Sequence, residues 1–159
     1  MTSTNTDPNQ KALQKFNSLS VDDRLAFLWF VYTEMGESIT PAAPGSAAPE
    51  IAEGLFNQVK EKSHDEQLQV MRDLVNNADT LICREYGSFS DNTKLLFWYR
   101  LSQGMESQII VPMPPNYEMA DAGDELLEQL KGFDFNQQIT FLRDSVMGMG
   151  AEPKGGSDI

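Results

Sequence analysis

Hydrophobic positions recur along most of this 159-residue chain at the three- and four-residue spacing of amphipathic helices. β-branched residues are few and never alternate with polar residues over the length of a strand, so the pattern predicts an all-α fold. Capping sequences mark several helix starts, namely Ser20 with Asp23, Ser63 with Glu66, Asp134 with Gln137, and Ser90. The predicted helices span residues 11–18, 21–36, 49–61, 64–76, 79–87, 91–106, 121–131 and 136–148.

Polar stretches flank the helical part at both ends. We expect residues 1–10 and 151–159 to be disordered tails, with one helical domain over residues 11–150 between them. Two proline-rich segments, 38–49 and 107–121, must interrupt the helices, because proline is not accommodated in a helix interior.

The two halves of the chain resemble each other at a nearly constant offset. A shift of 70 residues places Leu25 on Leu95, and a shift of 71 places Arg72 on Arg143. Chance similarity between amphipathic helices is the alternative, but the ordered series of helix, proline loop, helix and helix favours duplication. We therefore expect two pseudo-equivalent helical halves, joined by a segment around Tyr86 that has no counterpart.

The equivalent helices at 21–36 and 91–106 each carry an apolar stripe with aromatic rings at its centre. The stripes consist of Leu25, Leu28, Trp29 and Tyr32, and of Leu95, Trp98, Tyr99 and Ser102. Since each helix has a second apolar face for its own half, the stripes are expected to converge on a seam between the halves. Closed hydrophobic core is one interpretation of this seam. Nearby Met side chains, the polar ends of Trp and Tyr, and Tyr117 in the proline-rich loop favour an elongated apolar ligand instead.

The charge and composition exclude several classes of function. The formal net charge is −12 with a pI near 4.3, which argues against binding to nucleic acid or to anionic membrane surfaces. Cys83 is the single cysteine, and no apolar signal segment or run of membrane-spanning length occurs. We therefore expect a cytoplasmic protein.

Residues for catalysis or metal binding are scarce. His64 is the single histidine and is expected on a helix surface, and no zinc or nucleotide-binding motif occurs. Cys83 is interpreted as a small buried side chain, so neither an enzyme nor a metal site is expected. Arg72 and Arg143, each followed by Asp, fit either a solvated helix face or pairing with an acidic partner surface.

Six motifs together resemble a known family. They are WFVYTEMG (29–36), AAPG (42–45), MRDLVNNADT (71–80), KLLFWYRL (94–101), VPMPPNY (111–117) and QQITFLRDSV (137–146). They are similar to the N-terminal, all-helical domain of the cyanobacterial orange carotenoid protein, and to the stand-alone helical carotenoid proteins. The resemblance covers about residues 15–150.

The resemblance implies an all-α fold of two interleaved four-helix bundles around a central carotenoid tunnel. The pigment it implies is a ketocarotenoid such as canthaxanthin, echinenone or 3'-hydroxyechinenone. The residues expected to contact the carotenoid are Leu25, Leu28, Trp29, Tyr32, Met71, Leu95, Trp98, Tyr99, Ser102, Met105, Met113, Tyr117 and Ile139.

The resemblance also implies partners. Arg143 and Asn92 match positions that contact the second domain of the two-domain photoreceptor, and Arg143 matches a phycobilisome contact. That second domain is not in this sequence, so we expect a protein that is not light-switched by itself. We also expect a monomer or weak dimer. Ser102 replaces a glycine that is usual in the photoreceptor, and Phe89 replaces a tryptophan.

The leading hypothesis is a ketocarotenoid-binding protein in photoprotection, which quenches singlet oxygen and excited phycobilisomes at the cytoplasmic side of the thylakoid. The alternative is an interaction module that docks on a phycobilisome or on a separate C-terminal-domain-like carotenoid carrier. A carrier of another apolar molecule, such as a fatty acid, is a third interpretation.

Overall fold

The fold is all-α, as predicted. The computed structural model describes residues 7–36 and 48–153, and within them the chain forms eight helices and no strands. The helices are α1 (Pro8–Ser18), α2 (Val21–Met35), α3 (Pro49–Lys60), α4 (His64–Val75), α5 (Leu81–Gly87), α6 (Asp91–Glu106), α7 (Asp121–Lys131) and α8 (Phe135–Met147). The predicted segment 38–49 lies almost wholly outside the described residues, as do most of the two predicted tails.

Side-chain caps fix the helix starts. Ser63 and Asp134 form full capping boxes, and the Ser20 and Ser90 hydroxyls each accept a backbone N–H three residues later. These four predicted caps are confirmed.

Three helix starts differ from the prediction, and that of α8 differs by a single residue, at Phe135 rather than at residue 136. The Asp7 side chain accepts from the Asn9 N–H and Pro8 occupies the first turn, so α1 begins at Pro8 rather than at residue 11. The predicted tail boundary at residue 10 thus falls inside α1. Thr80 accepts the Cys83 N–H and begins α5 at Leu81, two residues later than predicted.

The two bundles exchange helices between the halves of the chain. Helix α1 packs against α7 and α8, and α2 packs against α7. In the same way α5 packs against α3 and α4, and α6 packs against α3. Each bundle therefore takes two helices from each half, which confirms the interleaved arrangement. The bundles meet through α2 with α4, α6 with α8, and α2 with α6.

The prediction that Tyr86 has no counterpart is wrong, because Phe16 occupies its equivalent place. The ring of Phe16 meets Phe27 edge to face at 5.6 Å and 65°, and Tyr86 meets Phe97 at 5.7 Å and 65°. Helix α5 is thus the counterpart of α1. Sequence comparison misses this relation because at the 70-residue offset the only identity along α1 is Ser18 with Ser88, and Ser88 follows the end of α5.

The hydroxyl of Tyr86 links its own bundle to α8 of the other bundle. Its hydroxyl donates to the Val146 carbonyl at 2.7 Å and accepts the indole N–H of Trp98 at 3.0 Å. Tyr86 is fully buried and Trp98 is 5% exposed, so burial raises the pKa of the Tyr86 phenol well above its usual value. The phenol therefore stays protonated and holds the Trp98 ring in one orientation.

Candidate functional site

The aromatic stripes of α2 and α6 face each other between the two bundles, where two apolar cavities adjoin. The loop cleft, covered by residues 111–117, has a cavity volume of about 160 Å³. The inner cavity is smaller, at about 40 Å³. Leu28, Trp98 and Ser102 line both. The seam predicted from the two stripes therefore contains apolar space lined by both stripes, most of it in the loop cleft.

Twelve of the thirteen predicted contact residues line one or both cavities. Those in the loop cleft are Leu25, Leu28, Trp29, Met71, Trp98, Ser102, Met105, Met113 and Tyr117. Those in the inner cavity are Leu28, Tyr32, Leu95, Trp98, Tyr99 and Ser102. Ile139 lines neither and is packed, partly buried, against the core.

Several lining residues were not predicted. They are Val31, Gly36 and Leu142 in the inner cavity, and Asp22, Ala26, Leu68, Arg72, Val111, Pro112 and Pro114 in the loop cleft. The duplication carries a signal for two of them: at the 71-residue offset Leu142 matches Met71 and Leu68 matches Ile139. The offset thus extends the predicted set to Leu68 and Leu142.

The indole N–H of Trp98 is bonded away from the two cavities, since its acceptor Tyr86 lines neither of them. Because its N–H is bonded to Tyr86 inside the bundle, the polar end of this Trp does not face the seam. The expectation that the polar ends of Trp and Tyr mark the ligand surface is wrong for this residue. Trp98 instead supplies a fixed apolar wall shared by both cavities.

Three aromatic rings, two from α2 and one from α6, cluster where the two stripes meet beside Tyr32. Tyr32 stacks on Trp29 at 5.8 Å and 29°, and it meets Tyr99 edge to face at 5.3 Å. The Tyr32 hydroxyl donates to Glu106 Oε1 at 2.6 Å. Burial, followed by the Glu106 carboxylate, raises the pKa of Tyr32 to about 12, so the phenol remains neutral around pH 7.

Two buried polar side chains hold the proline-rich loop over the cleft. Gln67 is 1% exposed; its Oε1 accepts the Val111 N–H at 2.8 Å, and its Nε2 donates to the Ile109 carbonyl at 3.2 Å. Asp23 accepts the Tyr117 hydroxyl and the Ala120 N–H. The loop is therefore tied to α4 at its start and to α2 at its end.

Arg72 and Arg143 have different surroundings despite their equivalent positions. Arg72 pairs with Asp22, with Nε–Oδ1 at 2.9 Å and Nη2–Oδ2 at 3.1 Å. Arg143 donates to Asn92 Oδ1 at 3.3 Å, and within the described residues it forms no salt bridge. The predicted partner residues thus lie together, and neither lines the two cavities. The interpretation of Arg72 as a solvated surface residue is incomplete, because it lines the loop cleft.

The predictions for the two remaining reactive side chains agree with the structure. Cys83 is fully buried, and burial raises the pKa of its thiol. His64 begins α4 on the surface. In the part of the chain that the structure describes, no group of three His, Cys, Asp or Glu side chains could hold a metal ion. Within the same ranges no helix has the length and apolar character needed to cross a membrane.

Comparison with known proteins places these features in context. The family model described as "Orange carotenoid protein, N-terminal" matches residues 2–152. An orange carotenoid-binding domain-containing protein of Nostoc sp. strain PCC 7120 is 56% identical over 138 residues, which cover 87% of this chain and 81% of the relative. The orange carotenoid-binding protein of Synechocystis sp. strain PCC 6803 is 41% identical over 138 residues, 87% of this chain but 44% of that protein.

Solved structures show the same similarity. The Red Carotenoid Protein of Anabaena (Nostoc) sp. PCC 7120, binding canthaxanthin, is 52% identical with a TM-score of 0.83, over 91% of this chain and 99% of that one. The Orange Carotenoid Protein of the same organism, also binding canthaxanthin, is 46% identical with a TM-score of 0.83, over 92% of this chain and 47% of that one. This chain therefore spans less than half the length of the orange carotenoid proteins that it matches.

Proposed function

We propose that this chain, which belongs to the family of the orange carotenoid protein N-terminal domain, binds a ketocarotenoid in the seam between its bundles. The observation that carries the proposal is the pair of adjoining apolar cavities built from the two aromatic stripes. Canthaxanthin in two similar solved structures supports this class of ligand.

The lining residues fit a long hydrocarbon chain with a ring at its end. In the loop cleft Trp29, Met71 and Tyr117 line a cavity of about 160 Å³, with Met113 in the loop above it. At the wall shared by the two cavities, Ser102 contributes a small side chain between the larger Leu28 and Trp98. Beyond this wall, Leu95 and Tyr99 continue an apolar surface along the inner cavity.

The proposed role is photoprotection by a physical rather than enzymatic process. When bound, the conjugated polyene accepts excitation energy from singlet oxygen and releases it as heat. The protein residues exclude water from the pigment and fix its shape through rings that are themselves held, such as Trp98 by Tyr86. Singlet-oxygen removal is the activity that the cavities support best. It requires only the bound pigment, whereas quenching of a phycobilisome also requires docking to that partner.

A reconstitution experiment tests pigment binding. Protein made without carotenoid is mixed with canthaxanthin, and the pigment that co-elutes with it on size exclusion is measured. We expect near-stoichiometric loading for the wild type and strongly reduced loading for Trp98→Ser and Trp29→Ser. Phe135→Ser, at an exposed site on α8, is the control. Equal loading of all three variants would remove the seam as the pigment site.

Docking onto a phycobilisome is a second proposed function, favoured by Arg143. Its guanidinium has a single hydrogen bond, to Asn92, and no salt bridge within the described residues, so it is available to an acidic partner. We expect Arg143→Leu to keep its pigment and to lose binding to isolated phycobilisomes or to a carotenoid carrier. Unchanged binding of the variant to both partners would argue against docking through this surface.

A further inference from the structure

We propose that Arg72 selects carotenoids that carry a carbonyl oxygen on the ring lying in the loop cleft. The guanidinium would donate an N–H to that oxygen. The loop cleft would then recognise a polar group of the ligand, and the rest of the seam would recognise only its length and shape. This inference rests on the proposed pigment binding. It adds a preference among carotenoids and an orientation of the bound carotenoid in the seam.

The ion pair of Arg72 and Asp22 is a polar spot in a cleft that is otherwise almost entirely apolar. Asp22 lies in the first turn of α2 on the same stripe as Leu25 and Trp29, which follow it at three and seven residues. Arg72 follows Met71 in the last turn of α4. A ring between Met71 and Trp29 would therefore lie beside the guanidinium.

Arg72 has hydrogen-bond donors to spare. A guanidinium carries five N–H groups, and Asp22 accepts from Nε and Nη2. Within residues 7–36 and 48–153 no other acceptor is bonded to it. The side chain is 40% exposed, so water satisfies the remaining donors when the cleft holds no ring.

A bound ring would displace that water. A carbonyl oxygen would replace the lost hydrogen bond, whereas a hydrocarbon ring would leave charged donors unsatisfied. Sites of this kind discriminate against ligands that lack the acceptor. Asp22 keeps the arginine in this apolar setting by balancing its charge. The selection therefore depends on an oxygen atom rather than on ring size.

The duplication supplies an internal comparison. Arg143 occupies the matching place on α8 beside Asn92, which matches Asp22, yet neither residue lines a cavity of the seam. The polar recognition is thus confined to the loop cleft. A carotenoid with a single keto ring should consequently bind with that ring in the loop cleft. A carotenoid with two keto rings should have only one of its carbonyl oxygens bonded to Arg72.

A competition experiment tests the proposal. Protein made without pigment is incubated with equal amounts of canthaxanthin and of its hydrocarbon parent β-carotene, and the bound ratio is measured by chromatography. We expect the wild type to favour canthaxanthin by about tenfold and Arg72→Met to lose most of that preference. Arg100→Met is the matched control, because Arg100 forms a similar two-bond pair with Glu53 away from the cavities. Its preference should equal that of the wild type.

Vibrational spectroscopy gives a second readout that needs no variant. In wild-type protein loaded with canthaxanthin, one of the two carbonyl stretching bands should move to lower wavenumber. Two unshifted bands, or a full preference for canthaxanthin in a folded Arg72→Met protein, would overturn the proposal. If the wild type binds neither carotenoid, the proposed pigment binding fails instead, so the two failures are distinguishable.

Discussion

Replacement of Tyr86 by Phe tests whether the Trp98 wall is held from inside the bundle. The substitution deletes the hydroxyl that accepts the Trp98 N–H at 3.0 Å and donates to the Val146 carbonyl at 2.7 Å. Val146 keeps a second donor, the Met149 N–H at 3.2 Å. The indole N–H of Trp98, in a residue only 5% exposed, is left without an acceptor.

The expected loss of stability follows from that single unsatisfied donor. A buried donor without a partner costs about 1–3 kcal/mol of unfolding free energy. For a chain of this length that corresponds to a fall of about 2–12 °C in Tm. We expect this fall in thermal denaturation followed by circular dichroism. Canthaxanthin, when bound, should show a broader absorption band because the Trp98 ring is no longer fixed.

A double-mutant cycle isolates the hydrogen bond from the general cost of changing the core. Once Trp98→Phe has removed the indole N–H, Tyr86→Phe should cost less than it does alone, by about 1 kcal/mol or more. Tyr99→Phe is the control, because within the described residues the Tyr99 hydroxyl forms no hydrogen bond, and Tm should hardly change. Strictly additive effects of Tyr86→Phe and Trp98→Phe would refute the reasoning.

Three further predictions concern the passage, the loop and pH. Ser102→Phe should fill space at the wall shared by the two cavities and lower canthaxanthin loading by tenfold or more, which corresponds to about 1.4 kcal/mol of binding free energy or more. Ser107→Phe, at the exposed residue that follows α6, should load normally. Asp23→Ala should remove the acceptor of the Tyr117 hydroxyl and of the Ala120 N–H, and lower the free energy of unfolding by about 1–3 kcal/mol. Because the loop is then less firmly held, pigment should transfer faster to lipid vesicles. An unchanged transfer rate would show that the loop does not retain pigment. The pKa values of Tyr32 and Tyr117 are raised from 10 to about 12, so folding favours their neutral phenols. Their stabilising contribution should be complete below pH 10 and be lost as pH rises from 10 to 12, and tyrosinate absorbance titrating entirely near pH 10 in the folded protein would contradict this.

Local signals in the sequence were sufficient for most of the fold. Capping residues such as Ser63 and Asp134 fix helix starts through contacts only three residues long, so the boundaries of α4 and α8 could be predicted closely. The correspondence of α1 with α5 could not be predicted, because it rests on the packing of Phe16 and Tyr86 rather than on shared residues.

The candidate site likewise has a part that the sequence predicts and a part that only the structure shows. Helical spacing and the duplication predict the stripes around Trp29 and Trp98, because one periodicity places the residues on one face. The Trp98 bond to Tyr86 and the Arg72 pair with Asp22 depend on which helices meet, and the latter joins residues 50 positions apart. Neither contact has a local sequence signature, so the polar end of the loop cleft became visible only in the structure.

The measurement that tests the central claim most directly is a visible absorption spectrum of this protein purified from cells that make ketocarotenoids. Pigment binding in the seam predicts an orange or red protein whose band is displaced from that of the free carotenoid and is lost in Trp98→Ser. A colourless, folded, helical protein from the same cells would contradict it.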